Sequence, residues 1–201
     1  MKAKLFGKKD RTAGIGGFVE IEVIDKDGKV IERAREPMHS LTNNTALWLD
    51  IFRLGTINGR DTSGNDISDV SLSSVTGVSV LAPSGNDNYG IIIGSSNTPF
   101  SIFQYNLQSK YPNSSFSHGE TSVEGVTQSP AYSCTTYKRT FTNNTSGDLV
   151  VREVGLVAML QTGSTTRYML LTRDVISDRT IPAGGSIIVK IGIYINQPPP
   201  S

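Results

Sequence analysis

The sequence predicts an all-β fold, an antiparallel β-sandwich of jelly-roll-like form with one N-terminal helix and flexible termini. Three observations carry that expectation. Short β-branched runs alternate apolar with polar residues. Clusters of Gly, Asn, Asp and Ser separate those runs and supply turns. Charged residues make up only 18% of the 201, while glycines number 20, which suits strands joined by polar loops.

Residues 1–17 read as a basic arm carrying Lys2, Lys4, Lys8, Lys9 and Arg11 and ending in Ala13-Gly14-Ile15-Gly16-Gly17. So little apolar surface orders such a segment only when a partner fixes it. Residues 18–195 form the expected sandwich domain. Its first strand is Phe18 to Ile24, with Val19, Ile21 and Val23 on one face. Asp25-Lys26-Asp27-Gly28 turns the chain into a return strand, Lys29 to Arg35, which Pro37 ends.

Ser40 caps a predicted helix over about 41–54, whose apolar face gathers Leu41, Trp48, Ile51 and Phe52, widened by Leu47 and Leu54. The polar stretch Gly55 to Asp69 reads as a surface loop. Val75 to Leu81 and Tyr89 to Gly94 are expected strands around the turn Pro83 to Asp87. Phe100 to Leu107 fits either a short helix or an extended piece. Within the long polar stretch that follows, Thr121 to Val126 reads as an edge strand.

The last third alternates most cleanly. Tyr132 to Phe141 is a strand turned by Asn143 to Gly147. Leu149 to Leu160 follows, with Val150, Val154, Leu156, Ala158 and Leu160 sharing a face, then Arg167 to Ile176. In the final strand Ile187, Val189, Ile191, Ile193 and Ile195 point one way and Lys190 and Tyr194 the other. Residues 196–201 are a Pro-rich tail that cannot extend a sheet.

Composition also narrows function. A formal net charge of +1 gives no global pull toward nucleic acid or an anionic membrane, and no apolar run is long enough to span a bilayer. One cysteine, Cys134, excludes an intrachain disulfide framework. The basic N-terminus lacks the apolar core of a signal peptide, so folding in a cytoplasm is the expectation. Only His39 and His118 are available for proton transfer, and no Gly-x-Ser-x-Gly elbow accompanies them. Gly14-Ile15-Gly16-Gly17 precedes a strand and so is not a phosphate cradle. We therefore expect no enzyme and no cofactor.

Asp25-x-Asp27-Gly28 is explained by a hairpin turn. Asp61, Asn65, Asp66 and Asp69 bring several oxygens into one loop. That set suits Ca²⁺, but a solvated loop favours the same residues, and we assign no metal to it.

A resemblance adds to this reading. It is carried by Gly90-Ile91-Ile92-Ile93-Gly94-Ser95-Ser96-Asn97-Thr98-Pro99, Tyr105-Asn106-Leu107 and Arg139-Thr140-Phe141-Thr142-Asn143-Asn144. Val151-Arg152-Glu153-Val154-Gly155-Leu156, Leu170-Leu171-Thr172-Arg173-Asp174-Val175 and Pro182-Ala183-Gly184-Gly185-Ser186 continue it. Together with the N-terminal hairpin, these segments resemble tailed-bacteriophage virion structural proteins over about residues 18–195. The resemblance implies a β-sandwich subunit of a capsid, neck or tail, located in the virion after folding in the bacterial host cytoplasm.

That expectation concerns assembly: a homo-oligomer in contact with other virion proteins, as a head decoration, neck ring or tail or fibre attachment. Lys2, Lys4, Lys8, Lys9 and Arg11 would form an assembly arm docked on a neighbour; the same residues also suit a disordered end or, less well for want of interleaved aromatics, contact with nucleic-acid phosphates. Arg152 beside Glu153, and Arg173 beside Asp174, offer charge pairs that lock strands or subunits, or that serve ordinary pairing within the domain. Gly155 leaves a gap where another backbone or a ring can approach. The alternative is a carbohydrate- or receptor-binding module using Tyr105, Tyr111, Phe116 and Tyr132 of the long loops.

Overall fold

The computed structural model describes residues 14–38, 40–45, 56–129 and 132–196, apart from the side chains of Asp69 and Leu72. Strand β1 (Gly14–Ile24) and strand β2 (Val30–Met38) form the expected hairpin. Its turn is tied by Asp25, whose Oδ1 accepts from the N–H groups of Asp27 at 3.0 Å and Lys29 at 2.9 Å. Strand β1 starts at Gly14, four residues before the expected Phe18, because it pairs along its whole length with the last strand. A Cβ on Gly16 would lie 2.6 Å from Tyr194 Oη, and one on Gly17 would lie 2.2 Å from Met38 Cε. Pro37 does not end β2 but sits within it, which an edge strand tolerates because its outer N–H needs no partner.

The helix is met only at its start. Residues 43–45 are helical, two positions later than expected, because Leu41 bridges Thr172 and the Thr42 N–H bonds the Leu171 carbonyl at 2.9 Å. The remainder of the predicted helix, 46–54, lies outside the described residues. The expected loop from Gly55 to Asp69 is instead a hairpin of β3 (Thr56–Arg60) and β4 (Asp66–Ser71). Two isoleucines decide this: Ile57 and Ile67 bury against Leu160 and Met169, and that anchors an otherwise polar segment.

Strands β5 (Val75–Ser79), β6 (Gly90–Gly94), β7 (Phe116–His118) and β8 (Ser122–Ser129) follow. Then come β9 (Tyr132–Asn143), β10 (Leu149–Thr162), β11 (Thr165–Ile181) and β12 (Ser186–Asn196). One sheet runs β2-β1-β12-β9, with β7 and β8 both on the far side of β9. The other runs β11-β10, with β5 and β6 both beside β10. All these pairings are antiparallel, and the two sheets close as a sandwich.

The core between the sheets holds Val19, Ile21, Val23, Ile187, Val189 and Ile191 from one side and Ile91, Ile93, Val154, Leu156 and Ala158 from the other. Val151, not Val150, belongs to that core, because the β10–β11 pairing is irregular around Arg152 and the alternation changes phase there. Strand β10 is covered on its outer face too, where Val157, Leu170 and Ile92 pack with Leu107, Tyr89 and Ala82. This double covering explains why β10 reads as a nearly continuous apolar run.

Candidate interaction surface

Glu153 and Arg173 project from the outer face of the β10–β11 sheet. Arg173 Nε donates to Glu153 Oε2 at 2.7 Å, and both side chains are 0% exposed. Among the described residues, every other side-chain hydrogen bond of the pair goes to one segment, residues 98–109. Arg173 Nη1 donates to Gln104 Oε1 at 3.1 Å and Nη2 to the Thr98 carbonyl at 3.0 Å. Glu153 accepts from the N–H groups of Ser109 at 2.7 Å and Gln108 at 3.1 Å. Gly155 lets this segment approach, since a Cβ there would lie 2.7 Å from Leu107 Cδ1. The gap expected at Gly155 is thus filled from within the chain, by an aliphatic side chain.

The charges flagged in the sequence pair across strands and not with their neighbours in sequence. Alternation sends adjacent residues to opposite faces. Arg152 forms a two-pronged ion pair with Asp178, both bonds 3.0 Å. Arg173 stands opposite Gly155, whereas Asp174 stands opposite Val154 and is buried between the sheets. The arm residues Lys2, Lys4, Lys8, Lys9 and Arg11 lie outside the described residues.

What the pinned segment presents is apolar. Phe103 is 76% exposed, Ile102 49% and Tyr105 37%. They border an open cleft of about 420 Å³ whose other wall is Asn43, Asn44, Gly59, Arg60 and Asp66. The Arg60 guanidinium lies 5.5 Å from the Tyr105 ring centre and donates to Asp66 Oδ1 at 3.1 Å. Asn44 fixes that wall by bonding both the N–H and the carbonyl of Arg60.

The oxygen-rich loop next to the cleft is occupied by its own turn. Asp61 Oδ1 accepts from the Ser63 and Asn65 N–H groups, both at 2.9 Å, and Oδ2 accepts from Asn65 Nδ2 at 3.1 Å. Asp66 is engaged with Arg60. Among the described residues no group of three His, Cys, Asp or Glu side chains is placed to hold a metal ion. The other flagged aromatics are internal or paired. Phe116 is fully buried, Tyr111 meets it edge-on at 5.0 Å and donates to the Val150 carbonyl, and Tyr132 lies 5.6 Å from Tyr194.

A second buried polar centre leaves its signal in the alternation of β9. Arg139 shares the inner face of β9 with Tyr137 and Phe141, so alternation alone places a charge between the sheets. It donates to the carbonyls of Gly119 at 2.8 Å, Tyr89 at 3.0 Å and Ile91 at 2.8 Å, and also to that of Asn86. These bonds tie β9 to β6 in the opposite sheet. Burial pulls the Arg139 pKa down to about 10. His118 lies edge-on to Phe141 at 5.0 Å, and burial, reinforced by the Arg139 charge, lowers its pKa to about 4.

The outer face of the β1 sheet is a field of ion pairs: Glu20–Arg35 at 2.8 Å, Glu22–Arg33 at 3.1 Å and Glu124–Lys190 at 2.8 Å. Arg179 closes one open side of the sandwich, reaching from β11 to Glu32 at 2.6 Å and Glu36 at 2.5 Å on β2. At the other end the inner face runs out past its cover. Ile15 pairs with Ile195, and Ile193 with Thr135, which in turn pairs with Val126. Ile15, Ile195 and Val126 are all exposed.

No family model, curated protein or solved structure matches this chain. Among the described residues no helix is long and apolar enough to cross a membrane.

Proposed function

We propose that this protein is a structural subunit that works by assembly, of the tailed-bacteriophage virion kind suggested by the segments quoted above. Its place would be a head decoration, a neck ring or a tail or fibre attachment. The observation that carries the assembly reading is Phe103, an apolar ring held out toward solvent on a segment pinned by a buried ion pair. Rigid presentation lowers the entropy lost on docking, so a partner gains more from each contact. In a repetitive particle many modest contacts of this kind sum. Mass spectrometry of purified particles from an infected host should find the chain in stoichiometric amounts, and Phe103→Ser should deplete it. Absence from particles, with a monomer at every concentration, would overturn the reading.

The carbohydrate-binding alternative has one supporting observation, the cleft that sets Tyr105 beside Arg60, Asp66 and Asn43. A ring beside planar polar groups suits a sugar ring. Glycan-array binding lost in Tyr105→Ala would support it. Tyr111→Ala would instead disturb the core.

A further inference from the structure

Each strand edge exposes a row of N–H and C=O groups, and proteins block the edges that must stay free. Strand β2 carries Pro37 and the charges Glu32, Arg33, Arg35 and Glu36. Strand β11 is crossed at Leu171–Arg173 by residues 40–42, and elsewhere bears Arg167, Asp178 and Arg179. Strand β6 is covered by residues 109–111, through the Ser95–Ser109 and Tyr111–Ile93 backbone bonds. Strand β8 differs. It pairs with β9 on one side only, and nothing among the described residues crosses its other side. It has no proline, and its single charge, Glu124, is already taken by Lys190 and Lys138. The bulge at Glu124 interrupts only its first half, since from Gly125 to Ser129 the register is regular.

We infer that β8 is a homotypic edge, pairing antiparallel with β8 of a second copy about a two-fold axis at Val126. The symmetry restricts the register. An axis perpendicular to the sheet keeps each residue on its own face, so a residue at the centre must meet itself. Centred on Val126, which is 58% exposed, the pairing buries one β-branched side chain against its twin. Gly125 then meets Thr127, and each Glu124 faces the uncharged end of the other strand, away from its own mate. On each side of the axis the row of Val126 continues inward through Thr135 to Ile193. The inference rests on the assembly reading, because it names one partner, a second copy of this chain.

The test reads register directly. In a Cys134→Ser background, Val126→Cys should give an oxidised dimer on a non-reducing gel, whereas Val123→Cys should not, because only the central residue meets itself. Light scattering of the full chain should show a reversible dimer, weakened about tenfold or more by Val126→Lys, which sets two ammonium groups side by side at the axis. Circular dichroism checks that the lysine variant folds; if it does not, the cysteine pair decides. A chain incorporated into particles but giving no Val126 cross-link there would sink the β8 inference alone. A cross-linking chain absent from particles would keep the dimer and sink the virion reading.

Discussion

Arg173 and Glu153 face each other across two strands with a 2.7 Å bond and no exposure, and what they hold is a loop. Among the described residues, the pair's remaining side-chain hydrogen bonds all end on residues 98–109. A buried pair contributes little net stability over an apolar one of equal volume, but losing one partner strands the other charge. Arg173→Met and Glu153→Leu should therefore each cost about 3–5 kcal/mol in urea unfolding. The double variant should recover much of that loss. Hydrogen exchange at the Gln108 and Ser109 amides should still accelerate in it, since the loop has lost its anchor.

Phe103→Ser separates surface from core. A side chain so exposed should change unfolding free energy by no more than about 0.5 kcal/mol. The same variant should fail to enter particles in competition with wild type.

Arg139 ties β9 to the opposite sheet. Arg139→Met leaves the carbonyls of Gly119, Tyr89 and Ile91 without their donor and should destabilise by about 3 kcal/mol or more. Lysine should not rescue it, because one ammonium cannot span acceptors arrayed around a planar fork.

His118 gives a pH dependence with a definite sign. Its pKa falls from 6.5 to about 4 on folding, so the unfolded chain takes up the proton first as pH drops. Stability from neutral His118 is complete above pH 6.5 and is lost between 6.5 and about 4, to a total of about 3 kcal/mol. Unfolding free energies of wild type and His118→Phe, from urea titrations across that range, should diverge by this amount. Subtracting the two curves removes the carboxylates common to both.

The sandwich was legible because its signal is local. Alternation in β1, β9 and β12, and turn residues between strands, record which face is buried without reference to what buries it. The β3–β4 hairpin was not, since two isoleucines in a polar stretch mean little until Leu160 and Met169 are seen beneath them. The candidate surface was half legible. Arg173, Glu153 and Gly155 stood out, but their partners on 98–109 are distant in sequence and bond largely through backbone atoms or an amide, which leave no mark in composition. Arg139 was readable by parity alone.

The pairing of Gly14 with Asn196 has a mechanical consequence. The first and last strands lie side by side and antiparallel, so the chain enters and leaves the sheet at one corner. Tension drawn through both ends would open the β1–β12 ladder one hydrogen bond at a time, like a zip, instead of loading every bond together. A fold of this build resists force poorly when pulled from Gly14 and Asn196 and well through its faces, so in the proposed assembly strain would best be carried by the broad surfaces of the sandwich.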